Sequence, residues 1–316
     1  MFNGFSRVWT PLLRVNQIER KPILVHLEGE RLVLFRDQEG KVGALLDRCP
    51  HRGAALSQGR VTPEGRIECP FHGWQFDRRG NACHVPLNPE AKLPLLSTQA
   101  LPVREIGDLV WVYTAPGMQE ASEPMVPDGL ASPDVSRTYV QRLWRCHWTR
   151  AMENMLDSPH LPFVHRRTIG KQLRSRMTPS SQMEIAWEDT PYGGRAEARI
   201  DGQGGGAVLE YFKPNIMVLN IPLPGKHLRI HALVVPERPG HTHLIICQSR
   251  DFARWQVWNP LFYWMNKRIA DEDKNVVESG GIEEVPPAST ECSVPSDRAT
   301  LQFRKYYYEE LRTSGG

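Results

Sequence analysis

Nowhere in this 316-residue chain is there an apolar run approaching the roughly 20 residues that span a bilayer. The opening "MFNGFSRVWTPLLRV" has no basic segment followed by a long apolar core, so no signal peptide is expected. An excess of one charge is missing too: 39 basic and 36 acidic residues leave a formal net charge of +3. Nucleic-acid binding calls for a basic stripe, which this balance does not supply. Cysteine is sparse, at six residues, and Cys83, Cys146, Cys247 and Cys292 are scattered. They read as free thiols of a reducing compartment, not as a disulfide framework. No internal repeat, low-complexity tract, flavin or nucleotide motif, or plant-type Cys-x₄-Cys-x₂-Cys run occurs. These absences point to a cytoplasmic protein with no membrane or nucleic-acid partner. Its hydrophobic content of 40% is that of a globular protein, and its length suits two domains.

Residues 20–115 carry short β-rich runs punctuated by Gly-Glu and Glu-Gly, as in "PILVHLEGERLVLFRDQEGKVGALLD", and end with "LVWVYT" (Leu109–Thr114). The Pro-, Gly- and Ser-rich stretch 116–133 has no periodicity and reads as a linker. It divides the chain into domains at 1–118 and 119–316. Beyond it, "YVQRLWRCHWTRAMENMLDSPH" starts extended and turns helical near Trp148. Residues 182–250 return to strands, with Gly202–Gly206 expected to form a flexible turn. The longest helical candidate follows, closed by Gly280 and Gly281, with Pro260 expected to kink or restart it. The fold class is therefore a β-rich first domain followed by an α+β second domain.

Cys49-x-His51 and Cys69-x-x-His72 lie seventeen residues apart. Such a set suits either a four-coordinate zinc or a [2Fe–2S] cluster in which two His replace two Cys on one iron. The flanks, "CPHRG" and "CPFHGW", put each pair in a Pro-containing loop, with Gly53 and Gly73 allowing close backbone approach. The segment resembles the Rieske iron–sulfur motif along its whole length. The resemblance implies Cys49 and Cys69 on one iron and His51 and His72 on the other. Imidazoles carry less negative charge than thiolates, which raises the potential above that of an all-Cys cluster. Trp74 and Phe71 are expected to pack over the cluster.

A second set of ligand-type residues lies in "ENMLDSPHLPFVH": Asn154, Asp157, His160 and His165. Pro159 disfavours one continuous helix here, so the two His can converge from a helix end and the following turn. Two His and a carboxylate make the facial triad of non-haem Fe(II) oxygenases. Asp157-x-x-His160-x₄-His165 resembles the matching element of the Rieske non-haem iron oxygenases, and the likeness runs over nearly the whole chain. It lies nearest the branch of dicamba and vanillate demethylases, whose pattern Asn154 also matches. The fold this implies is an all-β Rieske domain followed by a helix-grip α+β catalytic domain.

For the third ligand, "IADEDKNVVES" offers Asp271, Glu272 and Asp273. An apolar stripe through Trp258, Phe262, Met265, Ile269 and Val276 would face inward. At 100° per residue Asp273 lies about 40° from Ile269, Glu272 about 60° to the other side and Asp271 about 160° away. Phase and the family pattern "EDxxVVE" both choose Asp273, leaving Asp271 and Glu272 as solvated charges. The resemblance makes Asp157 a bridge, not a ligand, accepting imidazole N–H bonds from His72 of one subunit and His160 of the next.

The resemblance implies an O₂-dependent oxygenase that hydroxylates or O-/N-demethylates an aromatic or polycyclic substrate. The catalytic candidates are Asp157 and Asn154. The cofactors are one [2Fe–2S] cluster and one mononuclear Fe(II), with NAD(P)H and flavin acting through a separate reductase and a possible ferredoxin. A homotrimer is implied as well. Likeness to substrate-lining segments nominates His231 and Trp264, although helical phase sets Trp264 away from Asp273. A redox sensor, a ligand-binding protein or a plain electron carrier is the alternative. The last would leave some 200 residues beyond the linker without a role.

Overall fold

The first hairpin shows how the chain's turns are built. Glu28 and Gly29, both at positive φ (47° and 77°), close two strands whose last pair is Leu27 and Glu30. A two-residue turn with both φ positive matches the twist of the strands it joins. The structure, a computed structural model, describes residues 1–2, 4–118 and 120–313. It divides into two units, Met1–Pro124 and Met125–Thr313, with the division inside the Pro-rich stretch 116–133.

The first unit is all β. Its strands are β1 (Trp9–Arg14), β2 (Ile23–Leu27), β3 (Glu30–Arg36), β4 (Val42–Leu46), β5 (Arg60–Val61), β6 (Ile67–Glu68), β7 (Gln75–Phe76), β8 (Ala82–His84), β9 (Ala100–Leu101), β10 (Val103–Ile106) and β11 (Leu109–Tyr113). They form three small sheets, in the orders β1-β11-β10, β2-β3-β4-β9 and β5-β6-β7-β8. Val33, Phe35, Leu45, Leu56, Ile67 and Phe76 pack into one core, and Cys49 and Cys69 are part of it.

The second unit is a seven-stranded antiparallel sheet with helices. Its strands are β12 (Ser136–Trp144), β13 (Met183–Thr190), β14 (Gly193–Ile200), β15 (Gln203–Phe212), β16 (Ile216–Asn220), β17 (Leu228–Arg238) and β18 (His241–Arg250), in the order β12-β18-β17-β16-β15-β14-β13. Its helices are α1 (Trp148–Leu156), α2 (Leu161–Val164), α3 (Lys171–Arg176), α4 (Asn259–Val277) and α5 (Arg298–Tyr306). The register sets Ala196, Leu209, Leu219, Ile230, Gln248 and Thr138 side by side across six strands, so they share one face. Helix α4 lies over that face at β12 and β18, where Arg142 meets Asp271 and Arg250 meets Asn259. Among the described residues no helix is long and apolar enough to cross a membrane.

Two expectations are corrected and one is met. Pro260 restarts the long helix and does not kink it; it sits in the first turn of α4, where its missing N–H costs nothing. A 3₁₀ turn, Gln256–Trp258, precedes it. The glycine run 202–206 is mostly strand: Asp201 and Gly202 make the turn, and β15 begins at Gln203 opposite Ile200. The stripe expected to face inward does not do so. Trp258, Met265 and Val276 are about half exposed, and the buried side of α4 is Asn266, Ala270 and Asp273.

Arg250 ties α4 to the sheet. Its side chain is fully buried and donates to Thr138 Oγ1 at 2.8 Å and Asn259 Oδ1 at 2.6 Å, and its guanidinium lies 4.0 Å from the Phe262 ring centroid. Burial pushes its pKa below the usual arginine value. Truncating it removes both of these bonds as well as the packing on Phe262. Arg250→Ala is expected to destabilise the second unit by about 2–3 kcal/mol. The urea midpoint of that unit's transition, followed by tryptophan fluorescence, checks this.

Candidate metal centres

Both cysteine loops of the first unit follow a strand and are closed in the same way. The Cys49 amide donates to the Ala54 carbonyl at 2.8 Å, and the Gly53 amide returns to the Cys49 carbonyl at 2.9 Å. In the second loop Cys69 donates to the Trp74 carbonyl at 2.8 Å, and Gly73 to the Cys69 carbonyl at 3.1 Å. Gly53 (φ +75°) and Gly73 (φ +70°) make these reversals possible, since L side chains rarely adopt that conformation. Buried Asp47 braces the first loop, accepting from Arg31 Nη2 and from the Ser57 amide, both at 2.6 Å.

This arrangement buries the two thiols and exposes the two imidazoles. The rings of His51 and His72 lie 4.6 Å apart, centroid to centroid. Trp74 stacks on His51 at 4.6 Å and Phe71 on His72 at 4.0 Å. Burial pushes the Cys49 thiol up to about 11; the His51 amide opposes the shift and the adjoining Cys69 thiol adds to it. Among the described residues only one set, the one treated next, brings three ligand atoms within 4.8 Å of one another. The Cys/His set is more spread than a single zinc requires, and its inner-sulfur, outer-imidazole order fits a two-iron cluster.

The second set is His160, His165 and Asp273. The two histidines bracket the one-turn helix α2, as its N-cap and C-cap residues. Helix α1 has already ended at Leu156, with Asp157 as its C-cap. Gly170 packs against the same turn; a Cβ there would come within 1.9 Å of the Leu161 carbonyl oxygen. Asp273 comes from the buried side of α4, and its side chain is 6% exposed against 15% for His160 and 1% for His165.

Each imidazole has its Nδ1 committed to a carboxylate. His160 Nδ1 donates to Asp157 Oδ2 at 3.1 Å, and His165 Nδ1 to Glu272 Oε2 at 2.9 Å. The Nε2 atoms therefore carry the lone pairs, and they face Asp273 Oδ1 at 3.5 Å and 2.9 Å. That oxygen is buried and makes no hydrogen bond. Three acceptors aimed at one another call for a cation. Ligand atoms held at about 2.1 Å and at right angles would lie about 3 Å apart, as these do. Burial opposes a charge on His165, but Asp273 and then Glu272 outweigh it and raise its pKa, which again shows a site that demands positive charge. Two imidazoles and one carboxylate with open positions are the donor set of non-haem Fe(II).

The reading of Asp271 and Glu272 as solvated charges is corrected. Asp271 pairs with Arg142 at 2.8 Å and Lys267 at 2.6 Å. Glu272 takes the Nδ1 proton of His165, from which it is separated by 107 residues. No local signal marks that contact, since it exists only once α4 is laid beside α2.

The two substrate candidates are not brought to this site. His231 is paired with Val218 and Cys247, on the sheet face away from α4, and its Nε2 lies 3.0 Å from Ser249 Oγ. Burial drives its pKa down to about 3. Trp264 is 64% exposed on α4. Asn154 and Asp157 line a polar cavity of about 460 Å³ with Arg150 and Glu153, and the Asn154 Nδ2 is buried without a partner. A different cavity, of about 410 Å³, lies between the 158–176 segment and the helix-covered face of the sheet. Leu161, Leu173, Ile200, Leu209 and Leu219 line it, with Arg176. Ser158 and Leu161, on either side of His160, are part of its wall. Their apolar character carried no mark in the sequence that set them apart from core.

Residues 8–102 match the Rieske [2Fe-2S] domain, and residues 144–200 match the vanillate O-demethylase oxygenase C-terminal domain. The methylxanthine N3-demethylase NdmB of Pseudomonas putida is 27% identical, over 95% of this chain and 88% of that protein. The chloroplastic pheophorbide a oxygenase of Oryza sativa subsp. japonica is 29% identical, over 94% of this chain and 63% of that protein. The crystal structure of dicamba monooxygenase bound to dicamba superimposes with a TM-score of 0.81 at 21% identity, over 99% of this chain and 98% of that one.

The two centres separate by mutation. Asp273→Ala is expected to lower iron from about three to about two atoms per chain, while the visible absorption of the cluster persists. Asp271→Asn, which leaves the triad intact, is expected to retain all three. Iron analysis of both proteins alongside their absorption spectra checks this, and loss of iron from the Asp271 variant alone would reverse the assignment.

Proposed function

Because the chain belongs to the Rieske non-haem iron oxygenases, we propose that it is an O₂-dependent monooxygenase that removes an O- or N-methyl group from an aromatic or polycyclic substrate. The observation that carries the reading is the triad. A plain electron carrier or a ligand-binding redox sensor has no use for His160, His165 and Asp273 converging with both Nδ1 atoms tied off. When bound, the cluster supplies single electrons and the mononuclear iron supplies dioxygen activation. Cys49, His51, Cys69 and His72 are assigned to the first and His160, His165 and Asp273 to the second.

The rest is the work of the chain's own side chains. The cavity beside His160 would hold a substrate against Leu161, Leu173, Ile200, Leu209 and Leu219. Its volume of about 410 Å³ falls in the range of sites that enclose a ring-containing small molecule. A methyl group presented there would be converted from C–H to C–OH by one atom of O₂, the other leaving as water with two electrons and two protons, and the resulting hemiacetal or hemiaminal would lose formaldehyde. The similar proteins support this class of reaction: one is a methylxanthine N3-demethylase, and another binds dicamba. A separate flavin-containing reductase would deliver electrons from NAD(P)H, directly or through a ferredoxin, in the cytoplasm.

Asp157 is proposed to pass electrons between chains of a homotrimer. Its Oδ2 holds His160, and its side chain remains 27% exposed. A carboxylate can accept a second imidazole N–H, that of His72 from the next chain, in a head-to-tail ring. Asn154 would stand beside it in the same polar cavity.

Product analysis on a panel of aromatic methyl ethers and N-methyl compounds, with a surrogate reductase, is expected to show formaldehyde in step with O₂ consumption. O₂ uptake with no formaldehyde from any methylated substrate would sink the demethylase reading. Assembly is tested by mixing. Cys69→Ser and His160→Ala homotrimers are each expected to be inactive, and co-expressed mixtures to regain activity. Mixed trimers that stay inactive despite verified hetero-assembly would exclude transfer between chains. Asp157→Asn should keep both metals and lose most activity, because the amide replaces one acceptor oxygen by an NH₂ donor and so cannot accept an imidazole N–H on each side.

A further inference from the structure

Glu272 is next to Asp273, the carboxylate assigned to the mononuclear iron, yet it points at a different target. Its Oε2 accepts from His165 Nδ1 at 2.9 Å and from Thr168 Oγ1 at 2.7 Å. Its other oxygen, Oε1, meets Arg268 Nε at 3.3 Å, one helical turn earlier. Both carboxylate oxygens are thus occupied. His165 is the more enclosed of the two imidazoles, with a side chain 1% exposed, and Glu272 and Asp273 are the two charged groups facing it.

We infer that Glu272 is a positioning residue for the mononuclear metal. It fixes the His165 tautomer that leaves Nε2 free to ligate, holds the ring in plane with its target, and adds negative charge behind the ligand. Thr168 holds Glu272 in turn. The two imidazoles then have unequal supports. Asp157, which braces His160, is part-exposed and belongs to the proposed route between chains. Glu272 is held on three sides inside its own chain and serves as the static brace. Rotating the His165 ring without it would cost the Nδ1 bond and swing the lone pair away from Asp273. The inference rests on the assignment of His160, His165 and Asp273 to a metal.

Its test reads metal binding, not turnover. Co(II) is titrated into protein stripped of mononuclear iron but retaining its cluster, and affinity is measured by competition with a chelator. Removing such a brace typically weakens binding about 10–100-fold. Glu272→Leu is expected to show that loss, together with a changed Co(II) d–d spectrum. Glu272→Gln, which keeps an acceptor for the Nδ1 proton without the charge, is expected to fall between Glu272→Leu and wild type. Thr168→Val, which leaves the carboxylate in place, should show a smaller loss in the same direction and guards against misfolding of the Glu272 variants. Asp271→Asn, beside it on α4, should bind as wild type does. Equal Co(II) affinity and an unchanged spectrum in Glu272→Leu would overturn the inference. If wild type itself took up no Co(II) that Asp273→Ala abolishes, the metal assignment beneath it would fall instead.

Discussion

The second unit depends on two hydrogen bonds that hold imidazoles by the wrong end. Asp157 and Glu272 each take an Nδ1 proton, so His160 and His165 must offer Nε2 to whatever lies between them and Asp273. The cost is a cluster of acceptors with one buried carboxylate oxygen that no side-chain or backbone donor reaches. Such a cluster is tolerable only as a cation site. Much of the surrounding structure keeps it together. Helix α1 stops at Asp157 so that the chain can turn, and Gly170 lets that turn close. Arg250 seats the start of the helix that carries Asp273.

The first unit solves a related problem differently. There the ligands lie on two loops with the same closure, each an amide bond inward from Cys and a return bond from Gly. The cysteines become part of a hydrophobic core, while the histidines stay outside it. Burial pushes the Cys49 thiol up, and exposure leaves the imidazole edges available for contact. In both units the protein stores unfavourable electrostatics at a place where a metal is to be held, and pays with local packing.

Helix α4 shows where sequence reasoning stopped working. Its apolar residues suggested one inward stripe, but its buried side is Asn266, Ala270 and Asp273, and Trp258, Trp264 and Met265 face outward. A helix seated by an arginine and by polar contacts, with Thr138 and Asn259 among them, does not bury its most hydrophobic side. Hydrophobic phase therefore pointed at Asp273 for a reason the fold does not use. The neighbouring Glu272 was read as solvated because a single helix cannot reveal a histidine 107 residues away.

The sequence by itself determined what is local. Cys49-x-His51 and Cys69-x-x-His72 mark themselves as a candidate ligand set by spacing, because both loops form within a few residues of each pair. Asp157-x-x-His160-x₄-His165 does the same around Pro159, and alternation and turn residues mark most strands. Only the tertiary structure decided what depends on packing between distant segments. It chose which face of α4 is buried, joined Glu272 to His165, and turned His231 to the sheet face away from α4. It also assembled an apolar cavity from residues that look like any other core. Those contacts arise where strands of a seven-stranded sheet fall into register and helices are laid across it, and register and docking are properties of the assembled unit that no single segment encodes.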